Sequence, residues 1–133
     1  MSEKTNGKTQ FKLNDFALEV HALAVRKGWW DEERSFGDII ALCHSELSEA
    51  LEEHRDGSPL EYVRDPEGWG VIPRNEMPEI GHARPLGVAV EMADCIIRIL
   101  DWCGKEGIDI ERVLTEKHEY NRHRPYRHGG KKI

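Results

Sequence analysis

Residues 35–55, SFGDIIALCHSELSEALEEHR, decide the fold of this chain, because they have the pattern of one long helix with a buried side. Ser35 followed three residues later by Asp38 resembles a capping box, with a shorter acid than usual, so we expect the helix to begin there. Its apolar positions are Ile39, Leu42, Leu47, Ala50 and Leu51. We expect the helix to end near Gly57. A helix with one apolar side needs other elements to cover it.

Three further segments supply those elements. Asn14 can cap a helix near residues 14–28, residues 87–103 are rich in Val, Ile, Leu and Ala, and Asp109 can cap a helix near 109–122. Residues 56–86, rich in proline and glycine, predict a long irregular insertion. We therefore predict an all-α fold: a four-helix bundle-like core with helices near 14–28, 35–55, 87–103 and 109–122, in a single domain over residues 1–133.

Composition limits the classes of function. The net charge is −6, and no stretch of eighteen apolar residues predicts a membrane span. Cys43, Cys95 and Cys103 are odd in number and lack the CxxC spacing of a zinc or redox site. We expect a soluble, cytoplasmic protein without a membrane partner. Basic residues are concentrated in the tail, residues 123–133, and just before it, which suits contact with an anion.

Several acidic residues border the apolar side of their helices. At about 100° per residue, Glu46 and Glu53 lie inside the edge of the apolar arc of the second helix, and Glu49 lies just beyond it. In the third helix Glu91, Asp94, Arg98 and Asp101 form one polar stripe among apolar residues. If the two helices pack together, Glu46, Glu49, Glu91 and Asp94 converge, since residues three apart share a helix face.

Four ionised carboxylates placed so close repel one another, and burying them uncompensated costs several kcal/mol per ion. Mg²⁺ suits such a group because it prefers hard oxygen ligands and keeps positions open for water and phosphate oxygens. Taken singly, an ExxE motif or a charged stripe is more often a solvated helix face. The occurrence of two such motifs, both beside apolar surface, favours a metal site.

ExxE on one helix and ExxD on a later one resembles the MazG-like branch of the all-α NTP pyrophosphatases. GWWDEERSFGDIIALCHSELSEALEEHRDG (residues 28–57) is similar to the start of such domains, VEMADCIIRILDW (90–102) to their ExxD helix, and KHEYNRHRPYRHGGKKI (117–133) to the C-terminal segment of small members. The gap between Glu49 and Glu91 is longer than is usual in the family, and this departure puts substrate choice most in doubt.

The resemblance implies a Mg²⁺- or Mn²⁺-dependent nucleoside triphosphate pyrophosphohydrolase, which cleaves NTPs or dNTPs to monophosphate and pyrophosphate and serves nucleotide pool cleansing. It also implies a homo-oligomer, a dimer or tetramer. By motif position the metal ligands are Glu46, Glu49, Glu91 and Asp94. Lys117 and Asn121 match phosphate-binding residues of related enzymes, and Arg124 lies near them, although a basic helix end is also favoured by the helix dipole.

Some roles stay open at this point. Glu49 or Glu53 could orient the attacking water as the catalytic residue, and Trp30 could stack on the base, although an aromatic residue before a helix more often packs onto the core. One alternative is a narrower enzyme acting on dUTP, dCTP or phosphoribosyl-ATP. Another is a nucleic-acid-binding helical module that uses the basic tail, which the net negative charge disfavours. A third is an inactive helical scaffold.

Overall fold

A computed structural model describes residues 10–68 and 70–132. The fold is mostly helical, which confirms the predicted all-α class. The elements in chain order are α1 (Leu13–Arg26), α2 (Phe36–Arg55), β1 (Tyr62–Arg64), β2 (Val71–Pro73), a 3-10 turn (Arg74–Glu76), α3 (Val88–Glu106), α4 (Ile110–Arg122) and the short α5 (Arg127–Gly130).

The core lies around α3, which packs against both α1 and α2. Small and medium side chains from the three helices are buried there: Ala17, Ile39, Cys43, Ala50, Cys95, Leu100 and Cys103. At one end of the α2–α3 contact the rings of Phe36 and Trp102 lie 4.9 Å apart. α4 contacts mainly α1 and buries none of its own residues completely. The fourth helix is therefore a peripheral member of the helical core.

The helix starts follow the predicted caps in two cases out of three. The capping box of α2 is confirmed, with the Asp38 backbone N–H donating to Ser35 Oγ. Asp109 caps α4 as predicted. The prediction for Asn14 is wrong, because α1 already begins at Leu13 without a side-chain cap. Asn14 Nδ2 instead donates to Asp109 Oδ1 at 2.8 Å, which ties the start of α1 to the start of α4.

α3 runs three residues further than the sequence predicts. The sequence predicts an end near residue 103, with Gly104 and Gly107 as the stop signals, but the helix continues to Glu106, and Gly107 terminates it in the left-handed region at φ 69°. Gly104 has a different role: a Cβ there would lie 2.5 Å from the carbonyl oxygen of Ala17. The absence of a side chain at this position lets the backbones of α1 and α3 approach closely.

The insertion is more ordered than its composition predicts. β1 and β2 pair as antiparallel strands, with Val63 opposite Ile72. Tyr62 and Val63 are buried, and the Tyr62 backbone also pairs with that of Leu86. The Tyr62 hydroxyl donates to the carboxylate of Glu53, with both oxygens at 2.9 Å. The small sheet is thus fastened to the end of α2 and to the segment that enters α3.

Several large apolar side chains remain on the surface of the helices. On α2 and α3 they include Leu47, Leu51, Met92, Ile96 and Ile99. Across residues 10–68 and 70–132 no helix has the combination of length and apolar character that a membrane span requires.

Candidate functional site

Three carboxylates from two helices meet where α2 and α3 pack. Glu46 comes from α2, Glu91 and Asp94 from α3, and one oxygen from each lies within 4.8 Å of the others. Glu46 and Glu91 each expose only 8% of their surface. The three-residue spacing of Glu91 and Asp94 puts both on the helix face that is turned towards α2. The structure thus brings together three of the four residues predicted as metal ligands.

The electrostatics of this cluster show a shortage of positive charge. Burial and the nearby carboxylates of Glu49 and Asp94 raise the pKa of Glu91 to about 7. Burial and the charge of Glu46 also raise the pKa of Asp94, although Arg98 and Arg84 act against that increase. A group of acids with such raised pKa values gains free energy when a cation neutralises it.

Arg98 supplies part of the positive charge that the cluster needs. Its Nε donates to Glu46 Oε1 at 2.7 Å across the α2–α3 contact. Burial opposes the ionisation of Glu46, but the hydrogen bond and charge of Arg98, together with hydrogen bonds from Glu49 and Glu91, outweigh this effect, so the pKa of Glu46 lies below its ordinary value. One guanidinium therefore balances one of the three carboxylates, while Glu91 and Asp94 stay under-compensated.

A cavity of about 560 Å³ opens beside the cluster, between α1, the Trp29–Trp30 segment, α2 and α3. Glu46, Asp94 and Arg98 belong to its wall. Its apolar and aromatic lining consists of Phe16, Val20, Leu23, Ala24, Trp29, Trp30, Ile39, Leu42 and Ile97. Lys27, Arg34 and Asp101 complete it. A cavity of this size, with a largely apolar lining and several charged groups, fits a small amphiphilic molecule.

Trp30, the residue predicted to stack on a base, lies in the wall of this cavity. Its Nε1 donates to both carboxylate oxygens of Asp101, at 3.0 and 3.1 Å. Trp29 also lines the cavity, and the guanidinium of Arg34 stands 5.3 Å from the centre of its ring. Both tryptophans therefore have defined places beside the cavity.

The sequence prediction missed Asp101, Arg98 and His21 as residues of this region. Arg98 and Asp101 belong to the polar stripe on the third helix, where they follow Asp94 by one and two turns. His21 Nδ1 lies 2.8 Å from Asp101 Oδ1. The partners that give these residues their roles are far away in sequence, and no local pattern identifies them.

Glu49 and Glu53 follow Glu46 along α2. Glu49 is exposed and is not among the three that share the 4.8 Å separation, but its charge raises the pKa of Glu91, so its carboxylate is close. Glu53 lies one turn further along α2, and both of its oxygens accept the Tyr62 hydroxyl. Its predicted part in orienting water stays a prediction.

The predicted phosphate-binding residues lie away from the cavity. Lys117 and Asn121 are on α4 and exposed, and Arg124 follows the helix. The charged ends of Lys117 and Arg124 stand 4.7 and 5.8 Å from the centre of the Tyr120 ring. None of the three lines the cavity within one chain, as far as the described residues show. The structure does not bring them together with the carboxylates.

The donor set of the cluster matches a hard divalent cation. Three carboxylates offer only oxygen ligands, two of them on the same helix face, which suits Mg²⁺ or Mn²⁺ better than a metal that prefers nitrogen or sulfur. No protein-family model matches the chain, and searches of curated proteins and of solved structures found no match either. The chemistry of the site is the basis for assigning a function.

Proposed function

We propose that this chain is a MazG-like nucleoside triphosphate pyrophosphohydrolase, which cleaves NTPs or dNTPs to nucleoside monophosphate and pyrophosphate. One observation supports this proposal: Glu46 and Asp94 belong both to the carboxylate cluster and to the wall of the 560 Å³ cavity, so the two adjoin. A cation held by the cluster would therefore stand beside a chamber for the rest of a nucleotide.

Glu46, Glu91 and Asp94 would hold Mg²⁺ or Mn²⁺, with Glu49 adjacent as the fourth acid of the motifs. When bound, the metal would neutralise charge on the phosphate oxygens. Arg98 supplies a fixed positive charge at the cavity wall, where it can donate hydrogen bonds to a phosphate oxygen. Glu49 is exposed, whereas both oxygens of Glu53 accept from the Tyr62 hydroxyl, so Glu49 is the proposed residue that orients the attacking water.

The cavity beyond the carboxylates would take the base and sugar. Its lining is largely apolar, and the two tryptophans offer ring surface for stacking, which is worth about 1–3 kcal/mol per base in nucleic-acid-binding proteins. Trp30 is fixed by hydrogen bonds, whereas the ring of Trp29 is exposed. Trp30 is therefore the proposed stacking partner.

The proposal includes a homo-oligomer, a dimer or tetramer. The exposed apolar side chains of α2 and α3, which include Leu47, Met92 and Ile96, provide a surface that a second copy would cover. Phosphate binding by Lys117, Asn121 and Arg124 would then come from another copy, because they do not line the cavity of their own chain. Light scattering on the purified protein should give the mass of at least two chains, and a single-chain mass would contradict this part.

The proposal also includes a cytoplasmic location. Cys43, Cys95 and Cys103 are free and buried, which suits a reducing compartment.

The test is release of pyrophosphate from a panel of NTPs and dNTPs with Mg²⁺, including dUTP, dCTP and phosphoribosyl-ATP. We expect wild type to release pyrophosphate, and Glu46→Gln or Asp94→Asn to lower kcat/KM by about 10³-fold, a loss of roughly 4 kcal/mol of transition-state stabilisation. Glu52→Gln, an exposed acid on the same helix, is the matched control and should keep the wild-type rate.

The panel also separates the rival functions. Activity confined to one of the three special substrates would favour the narrower enzyme. Lack of pyrophosphate release together with tight, salt-sensitive RNA or DNA binding that needs the tail would favour the nucleic-acid module. Full turnover by the Glu46 and Asp94 variants would overturn the assigned site.

A further inference from the structure

The carboxylate of Asp101 contacts two residues that are distant from it in sequence. Trp30 Nε1 donates to both of its oxygens, at 3.0 and 3.1 Å, and His21 Nδ1 lies 2.8 Å from Oδ1. The indole nitrogen is only a donor and a carboxylate only accepts, so Nδ1 of His21 carries the hydrogen in this arrangement. α1, the segment after it and α3 are joined at this point.

The backbone is shaped to permit this contact. Gly104, about one turn after Asp101, lies at a close approach of α1 and α3, and a Cβ there would be 2.5 Å from the Ala17 carbonyl oxygen. His21 follows Ala17 by one turn, so the close approach brings its ring within reach of Asp101. A larger residue at position 104 would separate the two helices where His21 and Asp101 meet.

Trp30 is held by more than its nitrogen. The His21 ring packs against it at 5.6 Å between centres, inclined by 68°, and Lys105 Nζ stands 5.3 Å from the centre of the indole. Asp101 and Trp30 both line the cavity. The indole N–H is thus used by Asp101, and Trp30 offers the cavity its ring surface instead of a hydrogen-bond donor.

We propose that Asp101 is a positioning residue: it fixes the Trp30 indole as a rigid aromatic wall, against which the base of a nucleotide stacks. This inference rests on the proposed function and adds to it the residue that orients the base-binding wall. Fixing the ring beforehand lowers the entropy lost on binding, so Asp101 acts on nucleotide affinity and leaves the chemical step to the carboxylate cluster.

Two substitutions at position 101 separate the parts of this mechanism. Asp101→Ala removes every acceptor. Asp101→Asn keeps the shape: its Oδ1 accepts from Trp30, and its Nδ2 can donate to Nδ1 of His21 once the His21 hydrogen moves to Nε2. Glu52→Gln, an exposed acid on α2, is the matched control.

The first readout needs no catalysis. The quenching of tryptophan emission is measured as α,β-methylene-bridged ATP, GTP, CTP and UTP are titrated with Mg²⁺. We expect Asp101→Ala to weaken the tightest of these by about tenfold, as for a lost base–aromatic stack, and Asp101→Asn and Glu52→Gln to stay within about threefold of wild type. The nitrogen chemical shifts of His21 should report Nδ1–H in wild type and Nε2–H in Asp101→Asn.

The second readout is a double-mutant cycle. In a Trp30→Ala background, Asp101→Ala should change affinity less than twofold, because the wall that it orients is gone. During hydrolysis, Asp101→Ala should raise KM by about tenfold and change kcat by less than threefold. Should Asp101→Ala not fold, the His21 shifts and the affinity of Asp101→Asn still test the arrangement.

The outcomes also separate this inference from the proposed function. Equal analogue affinity in wild type and Asp101→Ala, additive effects in the cycle, or an unchanged His21 tautomer in Asp101→Asn would overturn the positioning role. Wild type that binds the analogues with the expected pattern but releases no pyrophosphate would support the positioning role and contradict the hydrolase. Wild type that binds none of the analogues would overturn both.

Discussion

Both ends of the polar stripe on α3 carry carboxylates, but the groups that surround those carboxylates differ. Near the start, Glu91 and Asp94 face other carboxylates, and the pKa of Glu91 is raised to about 7. Two turns after Asp94, the carboxylate of Asp101 accepts from Trp30 and His21. A carboxylate with enough donors fixes structure, whereas one with too few is prepared for a cation. We call the end near Asp101 the organising end and, on the proposed function, the end with Glu91 and Asp94 the binding end.

Removing the space at Gly104 should cause the largest loss of stability, because it separates the helices at the organising end. Gly104→Ala places a methyl group against the Ala17 backbone, and we expect a loss of about 2–4 kcal/mol in the free energy of unfolding. Gly37→Ala, at an exposed position in the first turn of α2 where a Cβ would make only an ordinary van der Waals contact with Ser35 Oγ at 3.7 Å, is the control. It should be neutral or stabilising by up to about 1 kcal/mol. Urea unfolding measures both, and equal effects would contradict the close approach.

The binding end should make the metal-free protein less stable as the pH rises. Glu91 has a pKa of about 7 in the folded state against an ordinary value of 4.5, so between these values the folded state holds more of the proton. The stabilisation of the folded state that results is complete below pH 4.5 and is lost as the pH rises through 7. The free energy of unfolding should fall by an amount on the order of 2 kcal/mol over this range. Unfolding in EDTA from pH 4.5 to 8 measures it.

Glu91→Gln is the control for that experiment, because it removes the titrating group and keeps the shape. The difference between wild type and variant should grow with pH and level off above 7, while the histidines contribute equally to both. Saturating Mg²⁺ should reduce the difference in slope, since a bound cation stabilises the ionised acid. A difference that does not depend on pH would show that Glu91 is not short of positive charge.

The smallest effect concerns Glu53, an acid of α2 that is hydrogen-bonded to the small sheet. Tyr62→Phe removes the hydroxyl that donates to Glu53, and we expect a loss of about 1 kcal/mol in unfolding free energy. Tyr120→Phe, an exposed ring on α4, should change stability by less than about 0.5 kcal/mol. Similar values for both would mean that the hydroxyl of Tyr62 contributes nothing to anchoring the sheet.

The features that the sequence predicts correctly depend on local pattern. The capping box at Ser35 and the cap at Asp109 need only neighbouring residues, and the helices follow from periodicity over many positions. The convergence of Glu46, Glu91 and Asp94 follows from one assumption, that the second and third helices pack together.

The features that it does not predict depend on contacts between distant residues. Gly104 reads as a helix stop unless the nearness of Ala17 is known, and Asn14 reads as a cap for its own helix although it binds the start of α4. The three-residue strands are too short to show an alternating pattern. Asp101 looks like a solvated acid until Trp30 and His21 are placed beside it.

The measurement that tests the central claim most directly is calorimetric titration of Mn²⁺ into the metal-free protein at pH 7.5, without nucleotide. We predict saturable binding that Mg²⁺ competes for, with affinity lowered at least about tenfold by Glu46→Gln and by Asp94→Asn and unchanged by Glu52→Gln. Equal binding by wild type and both cluster variants, or no binding by any of them at millimolar Mn²⁺, would contradict the account of Glu46, Glu91 and Asp94 as a cation site.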